Sequence, residues 1–118
     1  MPRLIDGDNL LGTWPGRCRA DADKNALARE VDALRREERE QVILVFDGPP
    51  PAGVSHGPDV HFSGNGRTAD LAILELLREA SDRSGWIVVT HDRSLADRCR
   101  SLGARIESPR DFRERLAR

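Results

Sequence analysis

The stretch LIDGDNLLG, residues 4–12, decides the fold because it changes from apolar to acidic within a few positions. Its apolar start predicts a buried strand, and the group Asp6-Gly7-Asp8 marks the carboxyl end of that strand. In open α/β sheets, ligands bind beyond the carboxyl ends of the strands. The stretch therefore predicts a parallel sheet with an acidic site at one edge.

Two later apolar runs end in the same way. VILVFDG reaches Asp47, and WIVVTHDRS reaches Asp92, while Asp70 opens an amphipathic helix just after Thr68. Because parallel strands point their carboxyl ends to one edge, we expect Asp6, Asp47, Asp70 and Asp92 to lie close together.

Strands alternate with helices along the rest of the chain, which indicates right-handed crossovers and helices on both faces of a sheet. The first half is predicted as a strand at 3–6, a loop at 7–20, a helix from an N-cap at Asp21 or Asp23 to about Glu38, and a strand at 41–46. A loop, a short strand at 60–62 and a glycine-rich turn follow, and then a helix from Thr68 to a stop at Ser84-Gly85. The last part is predicted as a strand at 86–90, a short helix closed by Gly103, a strand at 104–106, and a terminal helix with Pro109 in its first turn. The fold class is α/β: a single three-layer α/β/α domain over 1–118 with a mostly parallel central sheet of four to five strands.

Composition narrows the class of protein. The 118 residues are 38% hydrophobic and 33% charged, which suits one compact domain with a heavily charged surface. No apolar run approaches the roughly 18 residues of a membrane span, and the start has no signal-peptide pattern. We expect a soluble cytoplasmic protein without a membrane partner, in which Cys18 and Cys99 are free thiols and no zinc site exists.

The charge pattern gives no global attraction to a polyanion, since the net charge is −1. The basic residues are nearly all arginine, and Lys24 is the sole lysine. Arginine's planar fork suits bidentate contacts with phosphate, although a GC-rich coding sequence also explains the bias.

Clustered carboxylates repel one another, and they respond by taking up protons or by sharing a cation. Ligand sets made only of oxygen favour Mg²⁺ or Mn²⁺ over zinc, and such ions activate water beside a phosphate. Simpler roles stay open for each acid. Asp6, Asp8 and Asp47 also suit turns, Asp70 suits a helix N-terminus, Asp92 suits an N-cap, and Asp97 suits a helix surface.

The motifs LIDGDNLLG, VFDG, RTADLAILELL and IVVTHDRSLADRC, in this order, resemble the NYN branch of the PIN-like nucleases, and the YacP-like group in particular. The resemblance implies an endoribonuclease that acts on single-stranded or structured RNA with Mg²⁺ or Mn²⁺. It implies catalytic roles for Asp6, Asp70, Asp92 and Asp47. The implied metal ligands are Asp6, Asp70, Asp92 and Asp8.

The same resemblance assigns substrate contacts. Asn9, Thr90 and Arg93 belong to its motifs, and Arg67, Arg17 and Arg19 are expected near the same edge. Two positions depart from the family pattern, because Asp8 stands where tyrosine is more common and His91 replaces a small serine. With a net charge of −1, the grip on RNA must be local, or a homodimer or a ribosome-bound setting could supply it.

Two rival interpretations stay open. DGDNL at residues 6–10 approximates the opening motif of haloacid-dehalogenase-type phosphatases, but those enzymes need a later lysine, and Lys24 is too early on a helix of surface type. A non-catalytic RNA-binding or adaptor module on the same fold is the second alternative. A fold does not by itself establish a function.

Overall fold

The computed structural model describes residues 2–52, 57 and 59–117, and its centre is a five-stranded sheet. The strands are β1 (Arg3–Asp6), β2 (Val42–Phe46), β3 (Val60–Phe62), β4 (Ile87–Val89) and β5 (Arg105–Glu107). The helices are α1 (Gly7–Gly12), α2 (Asp21–Glu38), α3 (Ala69–Glu79), α4 (Arg93–Ser101) and α5 (Pro109–Leu116).

The order of the strands in the sheet is β3-β2-β1-β4-β5, and each neighbouring pair is parallel. The chain moves outward from β1 through β2 to β3, and it then returns to the other side of β1 with β4. The strand order therefore reverses between β1 and β4, which is the switch point where ligands bind in open α/β sheets.

Helices cover both faces of the sheet and form the predicted three layers. On one face, α3 and α4 pack on Leu4, Val45 and Val88. On the other, α1, α2 and α5 pack on Ile5 and Leu44. Residues of β1 and β2 are buried on alternate faces, which explains why their sequences read as continuous apolar runs rather than as an alternation. The predicted α/β/α fold class is confirmed.

The expected loop at 7–20 was wrong at its start, where α1 forms directly after β1. The helix has only 6 residues, too few for an apolar period to reveal it. Its Leu10 and Leu11 are fully buried. The tertiary contact of these side chains therefore stabilises a helix that local sequence does not announce.

Helix boundaries also differ from those predicted. Ala20 is the N-cap of α2, and Asp23 instead accepts a hydrogen bond from the Cys18 backbone at 2.9 Å. Helix α3 ends at Glu79, before the predicted stop, because the backbone becomes extended at Ala80 with a ψ of 138°. Arg83 donates to the Arg78 carbonyl at 2.8 Å and satisfies an acceptor that the helix end leaves open. A 3₁₀ turn then covers Arg83–Gly85.

Other local predictions hold. Thr68 caps α3 with its side chain, Pro109 occupies the first turn of α5, and Gly103 follows α4 with a φ of 98°. Both cysteines are free. Part of the predicted loop after β2, residues 53–56 and 58 with His56, lies outside the described residues. Among the helices that the structure describes, none is long and apolar enough to cross a membrane.

Candidate active site

Thr90 links two of the carboxylates at the switch point. Asp6 is the last residue of β1, and its Oδ2 accepts a hydrogen bond from the Thr90 hydroxyl at 3.2 Å. The same hydroxyl accepts from the Asp92 backbone N–H at 3.2 Å. Asp92 also caps α4, since its Oδ1 accepts from the Leu95 N–H at 3.1 Å. Capping therefore engages one oxygen of Asp92 and fixes the position of its carboxylate.

Asp47 extends this arrangement to the next strand. It follows β2 directly, and its Oδ1 accepts a hydrogen bond from the Ala69 N–H, the first residue of α3. Asp70 is the next residue of that helix. The bond therefore places the start of α3, with Asp70, beside the carboxyl end of β2.

Asn9 connects two segments of the chain at the same edge of the sheet. Its Oδ1 accepts a hydrogen bond from the His91 N–H at 2.8 Å, which joins α1 to the segment between β4 and α4. The two segments lie 82 residues apart in sequence. In this structure Asn9 therefore connects α1 to the segment between β4 and α4, and its amide oxygen is already engaged.

The carboxylates form one electrostatic cluster. Burial, and then the charge of Asp70, raise the pKa of Asp6 to about 7, against the opposing effect of its bond from Thr90. Burial, and then the charges of Asp92 and Asp47, raise the pKa of Asp70, while Arg98 opposes the shift. The structure thus brings Asp6, Asp47, Asp70 and Asp92 together as the sequence predicted.

The donor chemistry of this cluster fits a hard divalent cation. All four groups are carboxylates, and the charges of neighbouring acids add to burial in raising the pKa of Asp6 and of Asp70. A cation would supply it, with oxygen ligands of the kind that Mg²⁺ and Mn²⁺ prefer. Across the described residues, however, no three acidic, histidine or cysteine side chains are already grouped as a metal site.

Asp8 has different surroundings from the other acids. It is only 5% exposed, and its Oδ2 accepts from the Asp47 backbone N–H at 2.6 Å. Its Oδ1 lies 3.7 Å from the ammonium of Lys24, whose side chain is 12% exposed. Both oxygens are therefore engaged, so the geometry favours a role in positioning Asp47 and gives no support to the predicted metal contact of Asp8.

Lys24 was misplaced by the sequence analysis, which put it on a surface-type helix. Its ammonium also lies 5.3 Å from the ring centre of Phe46, the residue before Asp47. The one feature of the sequence that sets Lys24 apart is that it is the sole lysine among many arginines. Ser63 gave no signal, yet its buried hydroxyl accepts from the Gly48 N–H and donates to the Arg67 carbonyl, each at 2.8 Å.

The predicted substrate arginines fall into two groups. Arg17 lies 4.0 Å over the Trp14 ring and pairs with Glu30 at 2.5 Å, while Arg67 pairs with Glu75. These two are engaged within the fold, as is Arg19, whose Nε donates to the Asp8 carbonyl at 3.3 Å. Arg93 is the first residue of α4, is exposed, and forms no ion pair with any described residue.

A parallel sheet with a carboxylate cluster at its switch point, enclosed by helices on both faces, defines a PIN-like α/β domain. The chain belongs to the YacP-like NYN domain family, whose model matches residues 3–118. No curated protein sequence matches the chain.

Solved structures show the same fold. The crystal structure of Rae1 (YacP) from Bacillus subtilis has a TM-score of 0.82 at 20% identity, over 99% of this chain and 74% of that chain. A point mutant of the same protein gives a TM-score of 0.83 at 24% identity, with the same coverage of both chains. At these identities the likeness establishes the fold alone.

Proposed function

We propose that this protein is a metal-dependent endoribonuclease that hydrolyses RNA phosphodiester bonds with Mg²⁺ or Mn²⁺. The observation that carries the proposal is the convergence of four carboxylates, with raised pKa values at Asp6 and Asp70, at the switch point of the sheet. The chain belongs to the YacP-like NYN family, and its motifs resemble those of PIN-like nucleases. This resemblance indicates hydrolysis of phosphodiester bonds as the reaction.

The residues proposed to hold the cation are Asp6, Asp70 and Asp92, with Asp47 beside them. A bound divalent cation supplies activation of water and neutralisation of charge at the phosphate. Asp6 is the central group, because its charge interacts with both Asp70 and Asp47 and its carboxylate bonds to Thr90.

The other residues of the edge position these acids. Thr90 fixes the spacing of Asp6 and Asp92 through one hydroxyl that donates to the first and accepts from the second. Asn9 holds the His91 backbone against α1. Such fixed geometry reduces the rearrangement needed when the substrate binds, which is the main protein contribution to metal-assisted hydrolysis.

The rival functions receive less support. For the phosphatase, Asp8 would be the second acid of the motif, yet it is buried and bound to Lys24 and to the Asp47 N–H. An RNA-binding module without catalysis needs no uncompensated charge at its centre.

The test is cleavage of a labelled pool of RNAs by the full chain in Mn²⁺, in Mg²⁺ and in EDTA. We expect cleavage in at least one metal and none in EDTA. Asp6→Asn should lower the rate by about 100-fold or more, since loss of even an outer-shell metal partner costs about 10- to 100-fold. Glu37→Gln, on the exposed face of α2, is the matched control and should cut like the wild type.

RNA that binds but stays intact in every metal would favour the binding module. Equal cleavage by the wild type and by Asp6→Asn would remove Asp6 from the reaction and would contradict the proposed site.

A further inference from the structure

A hollow opens beside the carboxylate cluster, between α4 and the end of β5. Its volume is about 350 Å³. It is lined by Thr90, His91, Arg93, Ala96, Asp97, Arg100 and Ile106. We call it the α4–β5 hollow.

The hollow adjoins the candidate active site at Thr90, although none of the four carboxylates lines it. Thr90 lines the hollow, and its hydroxyl bonds to Asp6 at 3.2 Å. His91, the next lining residue, donates its backbone N–H to Asn9 at the same edge. A ligand in the hollow would therefore lie directly beside a phosphate bound at the carboxylates.

The rim of the hollow offers cations for a phosphate. Arg93 and Arg100 are both exposed. Arg93 has no ion-pair partner among the residues that the structure describes. Arg100 pairs with Asp97 at 3.3 Å, but both side chains are more than half exposed, and such surface pairs contribute little and yield readily to a phosphate.

The apolar part of the lining is small. Ala96 is buried and Ile106 is half-buried, so Ile106 supplies the apolar surface against which a base can lie. The volume falls within the usual range of about 300–1,000 Å³ for small-molecule sites.

We propose that the α4–β5 hollow is a nucleotide subsite that takes the RNA residue next to the bond cleaved. Arg93 and Arg100 bind the phosphate of that residue, and Ile106 contacts its base. This inference rests on the proposed nuclease function, and it extends that function by assigning the side of the cluster along which the RNA strand runs.

Two of the other arginines expected near the edge are less available to RNA. Arg17 is occupied by Trp14 and Glu30, and Arg67 is occupied by Glu75. Moving either guanidinium toward RNA would break a contact within the fold. Arg93 has no such contact to break.

The test combines binding of a mononucleotide with cleavage of RNA. Adenosine 5′-monophosphate, titrated into the full chain in EDTA, should shift the backbone amide resonances of residues 90–100 and 106. Adenosine, which lacks the phosphate, should shift them less. Arg93→Gln and Arg100→Gln should each weaken nucleotide binding about five- to tenfold and raise KM for RNA by the same factor, with kcat unchanged.

Arg110→Gln is the matched control, because Arg110 is equally exposed but lies on α5 outside the hollow. It should leave nucleotide binding and KM unchanged. Nucleotide shifts outside the hollow, or none, would overturn the subsite. The subsite would also be overturned if the Arg93→Gln and Arg100→Gln proteins cut RNA with the same KM as the Arg110→Gln protein. The proposed nuclease function would then hold without the subsite.

The two proposals can fail separately. If the nucleotide binds in the hollow, and the two substitutions weaken it, while the wild type cuts no RNA in any metal, the subsite is supported and the nuclease function is not.

Discussion

Asp6 shows how a single residue at the site opposes folding. It is 5% exposed, and burial with the neighbouring Asp70 charge raises its pKa from 3.8 to about 7. The folded protein therefore binds a proton at this residue between about pH 4 and pH 7, where the unfolded chain does not. The contribution of the Asp6 proton to the free energy of unfolding is therefore complete below about pH 4, and it is lost as the pH rises through 7.

Asp6→Asn should thus stabilise the protein at alkaline pH, because the amide is never charged. In EDTA we expect its free energy of unfolding to exceed that of the wild type by up to roughly 4 kcal/mol at pH 8, a shift of about 3 pKa units at 1.36 kcal/mol each. At pH 4 the two should be nearly equal. Urea denaturation at both pH values measures the difference.

Glu37→Gln serves as the control for this comparison, since Glu37 is exposed on α2. It should change stability little at either pH. A difference between Asp6→Asn and the wild type that does not grow from pH 4 to pH 8 would contradict the raised pKa of Asp6.

Asp8 illustrates a role that residue type alone does not reveal. Two acids separated by one glycine read as equivalent ligands, yet Asp6 faces the cluster and Asp8 binds Lys24 and the Asp47 N–H. The difference arises because α1 begins directly after β1 and turns Asp8 toward β2 and α2. The sequence placed both acids at the right edge, but it did not separate their functions.

At the scale of the element, α1 depends on a close approach between backbone and ring. A Cβ on Gly7, the first residue of α1, would stand 2.5 Å from the Phe46 ring and 3.0 Å from the Val45 carbonyl oxygen. Phe46 is 1% exposed and has no room to retreat. Glycine is therefore required here by packing, and not by an unusual φ.

Gly7→Ala should destabilise the protein by about 1–3 kcal/mol, the usual cost of overpacking. Gly12→Ala, at the other end of α1, is the matched control, because its Cβ would meet only the flexible end of Arg19, at 3.3 Å. It should cost little or be slightly stabilising. Urea denaturation of both variants tests the argument, and an equal loss at the two positions would refute it.

Elements with strong local signals were predicted well. The apolar runs at 41–46 and 86–90 correspond to β2 and β4 within a residue at either end, and the α2 pattern runs to Glu38 as expected. Helix α1 was missed because six residues leave no period to detect. The end of α3 was misjudged because the backbone becomes extended at Ala80, where no glycine or proline marks the end of the helix.

For the whole molecule, a net charge of −1 means that attraction to RNA must come from a few local cations. If two or three phosphates are bound, one of them by Arg93 and Arg100 together, the slope of log affinity against log salt should be about −1.4 to −2.1, since single strands give about −0.7 per phosphate. Arg93→Gln should reduce the magnitude of that slope by up to about 0.7. Arg110→Gln should leave it unchanged.

Fluorescence anisotropy of labelled RNA with the Asp6→Asn protein, in EDTA and at varied sodium chloride, measures the slope without cleavage. A slope steeper than about −4 would indicate an extended basic track that binds many phosphates, and it would contradict a grip limited to the α4–β5 hollow.

The sequence by itself determined the fold class and the acids at the sheet edge. Apolar runs that end in aspartate specify buried parallel strands, and the direction of such strands forces their carboxyl ends to one side. Only the tertiary structure decided which partners those acids have. The strand order places Asp6 beside Thr90 across 84 residues of sequence, and the packing of α1 commits Asp8 to Lys24. Contacts between segments so distant in the chain depend on how whole elements pack, and no local pattern records them.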